Sequence, residues 1–165
     1  MRRSTLAMLA LPLLAACVDQ APQTKDEAQL LAGQLAALQT RLVAANTTDT
    51  MRGFAVALQD RGFQIRTINL EDGLIVADRG GAAPVAMAFL RHSPRETLVR
   101  VTALARGEFG VVSPREEEFF TTHFFGPAAT QLQVSITPLP GGVQPPEAPV
   151  APMDYHLSPE PSARR

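Results

Sequence analysis

Eight of the chain's 14 prolines fall between Pro138 and Pro161, and that crowding limits what the chain can fold more than any other feature. Proline fixes φ and lacks the amide hydrogen that helices and inner strands need. Pro138, Pro140, Pro145, Pro146, Pro149, Pro152, Pro159 and Pro161 stand among few large apolar residues. Residues 138–165 are therefore predicted to be a disordered tail that samples extended or polyproline conformations. A packed core must come from earlier residues. The domain-like stretch 47–137, roughly 90 residues, suffices for one modest core and not for two.

Ahead of it, residues 26–46 are dense in Ala, Leu and Gln, with no proline and only Gly33 as an interruption, which predicts a helix. Asp26 and Glu27 fall in its first turn and Arg41 near its end, both favourable to the helix dipole. Leu31, Leu35, Leu38 and Leu42 step by four, three and four, the spacing of a coiled-coil seam. Such a stripe either packs on the chain's own domain or pairs with a second copy as an oligomerising spacer.

Within 47–137 the pattern alternates between helix and strand. Met51, Phe54, Ala55 and Leu58 share one face of a helix predicted over 50–61, with Thr48 or Asp49 as its cap and Gly62 as its stop. Strand-like runs follow at 64–70, 74–78, 85–91 and 96–105, the first two joined through Asp72-Gly73. Ser113, Pro114 and Glu116 read as an N-cap, first turn and capping box. Phe119, Phe120, Phe124 and Phe125 crowd the helix that follows, most of them expected to cover one face of the sheet and the remainder to form a contact patch, and Gly126-Pro127 is expected to stop it. A last strand is expected through Leu132, Val134 and Ile136, with a helical turn over 128–132 as the alternative. Helix, β-meander, helix is an α+β arrangement with helices laid on an antiparallel sheet.

The first residues have the parts of an export signal: Arg2 and Arg3, an apolar run from Leu6 to Leu14, then small Ala15 and Ala16. That run is shorter than the roughly 20 residues a membrane-spanning helix takes. Leu14-Ala15-Ala16-Cys17 resembles the lipobox of bacterial lipoproteins. The resemblance implies a signal peptide over 1–16, fatty acylation of Cys17 as the first mature residue, and a short lipidated tether over 17–25. Val18 after the cysteine implies, by similarity to enteric lipoprotein sorting, an outer-membrane location facing the periplasm. A secretory signal that leaves Cys17 as a free thiol is the alternative. Residues 58–77 are similar to the helix-grip domains of accessory lipoproteins in outer-membrane barrel assembly, through Arg61-Gly62-Phe63 and the hairpin into Leu74-Ile75-Val76.

Little in the chain points to chemistry. Cys17 is the only cysteine, so an acylated chain holds no disulfide. His92, His123 and His156 lack metal-ligand spacing, and no nucleophile elbow or phosphate-binding glycine loop is present. Glu116, Glu117 and Glu118 are accounted for by the helix start. A net charge of −1 argues against a nucleic-acid partner recruited by charge. No cofactor or catalytic group is implied.

The expectation is a non-catalytic lipoprotein held on a bacterial membrane, which binds another envelope protein. Candidate contacts are Phe119, Phe120, Phe124 and Phe125, and the strand arginines Arg91 and Arg100, which with Arg66 and Arg106 could share an outer sheet face. The alternative is a carrier or sensor that holds a small amphiphilic ligand among the phenylalanines, between helix and sheet.

Overall fold

The leucine-patterned helix does not end in a loop. In the computed structural model, which describes residues 25–79, 84–107, 110–112 and 115–149, α1 (Lys25–Gln39) runs directly into β1 (Thr40–Val43). The helix expected over 26–46 is therefore cut short, and Leu42 lies on a strand. β1 is inserted between two other strands, pairing antiparallel with β5 (Glu96–Ala103) on one side and β8 (Ile136–Pro138) on the other. Helix propensity favours residues 40–46 only weakly: Thr40 and Val43 are β-branched. Burial within the sheet outweighs that preference, since Thr40 and Val43 are fully buried.

β2 (Gln64–Asn69), β3 (Leu74–Asp78) and β4 (Val85–Ser93) complete a six-stranded sheet in the order β2-β3-β4-β5-β1-β8. All its pairings are antiparallel. β6 (Ala105–Gly107) and β7 (Gly110–Val112) form a separate two-stranded ribbon. The α+β class holds, with β1 and β8 as strands that extend the expected meander.

α2 (Thr47–Asp60) starts three residues earlier than the sequence implied. Its cap is Asn46, whose side-chain oxygen accepts from the Asp49 amide at 2.9 Å while its amide donates to the Asp49 carboxylate at 2.6 Å. Its end is as expected: Gly62, at φ +80°, donates to the Gln59 carbonyl, and Phe63 donates to that of Leu58. Those two bonds make a Schellman motif, and Phe63 folds back onto the core. At the β2–β3 turn Gly73 is also left-handed, and an added Cβ there would overlap the Phe89 carbonyl oxygen.

The core lies between one sheet face and the helices. Opposed residues share a face, so Ile75, Met87 and Val101 form one row and Phe89 and Val99 another, both covered by Met51, Phe54 and Leu58 of α2. The second helical layer begins with α3 (Glu117–Phe120) and widens into a π-helical turn (Thr121–Phe125). It then continues as α4 (Gly126–Leu132). Gly126-Pro127 thus does not stop the helix. In a regular α-helix the Pro127 ring would meet the carbonyl four residues back. The wider turn absorbs it, with the Gly126 amide bonding five residues back to Thr121.

Glu116 is the N-cap of α3 and makes no side-chain cap bond, so it does not sit at the third position of a capping box. Ser113 and Pro114 lie outside the described residues. Of the two readings for 128–132, the helical turn is the one observed, and the strand begins only at Ile136.

The ordered chain also reaches further than its proline content implied. Pro138 closes β8, and residues 139–149 continue beyond it, with Pro146 buried and its carbonyl accepting from Arg100. Prolines need no amide partner, so such a segment can lie against a sheet without forming a ladder. Residues 1–24 and 150–165, with Cys17 and His156 among them, lie outside the described residues.

Candidate functional site: the helix-to-sheet junction

Two arginines fix α1 to the domain. Arg41, on β1, has a side chain only 6% exposed. One of its terminal nitrogens donates to the carbonyls of Thr40 at 2.9 Å, Leu38 at 3.2 Å and Ala37 at 3.3 Å. The other reaches Glu117 Oε1 of α3 at 2.7 Å, and the guanidinium lies 5.2 Å from the centre of the Phe125 ring. The last turn of a helix leaves carbonyls without partners, and a cation there also meets the negative end of the dipole. Arg41 supplies both needs in a place with neither a glycine nor a proline stop. Thr40 adds a bond from its hydroxyl to the Ala36 carbonyl at 2.7 Å.

Arg100 acts from the other sheet face. Val99 and Val101 point into the core, so Arg100 between them points away. Its Nε and one terminal nitrogen donate to Gln39 Oε1, each at 3.2 Å, and the other terminal nitrogen donates to the Pro146 carbonyl at 2.8 Å. Burial pulls its pKa below the ordinary guanidinium value. The end of α1, the middle of β5 and the proline segment are thereby joined at one side chain. Arg100 is therefore committed inside the molecule rather than free to meet a partner.

The expected basic face does not form. Arg91 has the parity of Phe89 and Arg100 the opposite parity, so the two lie on different sides of the sheet. Arg66, at the irregular step in the β2–β3 pairing, is ion-paired with Asp78, whose hydrogen bond and charge hold its pKa above the ordinary value. Arg106 lies in β6. Arg91 remains exposed.

Most of the four phenylalanines cover the sheet, as expected, and so are withdrawn from any partner surface. Phe120, Phe124 and Phe125 are 0%, 4% and 3% exposed. Phe54 meets Phe89 and Phe125 edge-on at 5.5 and 6.2 Å between ring centres. Phe119 is half-buried, packed edge-on against Phe120 and Phe124, with His123 against its outer side at 4.8 Å. The widened turn helps explain why four phenylalanines exceed a single stripe: it lets both Phe124 and Phe125 turn inward. The rings interlock where a ligand carrier would need an opening.

Two of the shallow surface grooves among the described residues bear on the site. One runs along α1 past Gln29, Leu30, Gly33, Gln34 and Ala37. The other lies between α2 and the end of the second helical layer, where Asp60, Arg61, Thr122, Thr130 and Gln131 make it polar. Among the described residues no three of His, Cys, Asp and Glu group to hold a metal ion, and no helix is long and apolar enough to cross a membrane. Neither a protein-family model nor a curated protein sequence matches the chain.

Sequence reasoning placed Arg41 only as a favourable charge near a helix end and passed over Gln39. The signal that could have found the junction is the run Thr40-Arg41-Leu42-Val43, a strand-like alternation inside a helix-like composition.

Proposed function

We propose that the chain is a lipoprotein of the bacterial envelope, acylated at Cys17 and held at the periplasmic face of the outer membrane. Its role is to present a small α+β domain to another envelope protein at a fixed stand-off, without catalysis. The observation that supports this most is the loopless passage from α1 to β1, clamped by Arg41 and Arg100. Residues 29–34 of α1 are exposed on all sides, so the helix leaves the domain as a stalk, and its first residue follows Cys17 by eight positions. A lipid anchor followed by a rigid stalk sets both height and orientation. Surfaces open to a partner are Arg91 and the polar groove beside Asp60 and Arg61.

The test is metabolic labelling with a fatty acid in wild type and Cys17→Ser, followed by membrane fractionation. The wild type is expected to carry label and to sediment with outer membranes, and the variant to lose both label and signal cleavage. Label retained in Cys17→Ser would overturn the reading.

A further inference from the structure

α1 carries two different faces. Leu35, Ala36, Leu38 and Gln39 turn toward the domain and are buried or half-buried. Leu30, Gly33, Gln34 and Ala37, spaced three, four and seven residues from the first, lie on the opposite side at about 100° per residue. Leu30 is 68% exposed, and nothing lies within 4 Å of where a side chain on Gly33 would begin. The leucine stripe read from sequence is therefore not the free surface: Leu35 and Leu38 are half-buried and Leu42 is in β1.

We infer that the Leu30–Gly33–Gln34–Ala37 face pairs with the same face of a second copy of the chain, the two stalks running parallel from one membrane. The inference rests on the anchored reading. Eight residues from Cys17 to Lys25 reach at most about 28 Å, so every anchored copy presents the start of α1 within that distance of one surface, an arrangement that favours parallel over antiparallel stalks. A parallel two-fold pair sets each residue beside its own equivalent. Any charge on the contact face would then meet a like charge, and residues 28–40 contain none. The same neutrality disfavours the membrane as occupant, because helices that lie on anionic lipid carry Lys and Arg along their polar side. It also offers no charge pattern that would select a different protein. Gly33 and Ala37 allow the axes to approach to the near end of the usual 8–10 Å range.

Four residues on a short helix bury far less than the ~800 Å² per partner of a stable interface. Pairing must therefore depend on confinement of both copies to a bilayer, where effective concentration is high. The experiment uses the acylated full chain in phospholipid vesicles, with single cysteines introduced as Gly33→Cys, Ala37→Cys and Ala32→Cys; acylated Cys17 offers no competing thiol. On mild oxidation, Gly33→Cys and Ala37→Cys are expected to give disulfide-linked dimers at least about tenfold faster than Ala32→Cys, on the far side of the helix. Rates should fall as lipid dilutes the protein, and Leu30→Gln in the Ala37→Cys background should slow linkage. Equal linkage at all three positions, or none at Gly33 and Ala37 in protein that still carries its fatty acid, would overturn the pairing and leave the anchor intact. Loss of the fatty acid itself would overturn the anchor.

Discussion

Replacing Arg41 with alanine should cost more than any other single change of a charged residue in the described structure. Its guanidinium makes three kinds of contact, and they differ in worth. The bonds to the Thr40, Leu38 and Ala37 carbonyls share one nitrogen, so they count as one good charged bond with two weaker branches. Together they contribute about 1.5–3 kcal/mol. The approach to Phe125 adds about 0.5–1 kcal/mol or somewhat more in this buried setting. Glu117 adds least: its side chain is 59% exposed, so the pair is screened by water and contributes about 0–1 kcal/mol. The expected loss for Arg41→Ala is about 2–5 kcal/mol, the sum of these contributions. Glu117→Gln should cost under about 1 kcal/mol. Arg41→Lys should restore less than half, because one ammonium cannot bridge the helix end and α3 in a fork. Urea unfolding gives these differences directly. Hydrogen exchange should show the amides of 36–39 losing protection beyond the global change. A cost below about 1 kcal/mol for Arg41→Ala, or equal costs for Arg41→Ala and Glu117→Gln, would refute the reasoning.

Two further substitutions separate buried from accessible groups. Phe120→Ala is expected to destabilise by about 3–5 kcal/mol and Phe119→Ala by clearly less, as read from denaturant midpoints; equal costs would contradict the packing described. Arg100→Ala should cost about 1–3 kcal/mol while Arg91→Ala changes stability by less than about 0.5 kcal/mol. A chain ending at residue 138 should reproduce part of the Arg100→Ala loss, and the two changes should combine less than additively because they remove the same bond to Pro146.

Much of the fold is legible where local chemistry and tertiary packing agree. Gly62 and Phe63 carry their helix stop within three residues, and the β2–β3 hairpin carries its own turn through Asn69, which accepts from the Glu71 and Asp72 amides, and Gly73. The alternation of Val99, Val101 and Ala103 holds on β5. What misleads are places where a distant partner decides. Residues 40–43 carry a strand-like run too short to outweigh the helix-like composition around it, and pairing with β5 and β8 decides the outcome. Gly126-Pro127 reads as a stop, yet the layer continues because a wider turn upstream removes the clash. The candidate site fares less well than the fold. Residue type points to Arg100 and the phenylalanines, but it does not say which sheet face an arginine takes or whether a ring is covered.

The junction also bears on how motion passes from α1 to the sheet. A helix joined to a strand by a flexible loop would let the domain swing, and its surfaces would sample many orientations above a membrane. Here the change from helix to strand falls between Gln39 and Thr40, both buried; Thr40 bonds back to the helix, Arg41 reaches across to α3, and Gln39 accepts from Arg100, which also donates to Pro146. Bending there would break several of these bonds at once, so the passage from α1 to β1 resists it. On the proposed anchoring, height above the bilayer would be set by a helix of about 22 Å, at 1.5 Å for each of its 15 residues, plus a short tether. Removing two residues from the tether should change reach alone, whereas removing Leu31 and Ala32 would turn Leu30 by about 200° relative to Gly33, Gln34 and Ala37 and so split the face. Only the second change should abolish pairing between copies while leaving the domain folded.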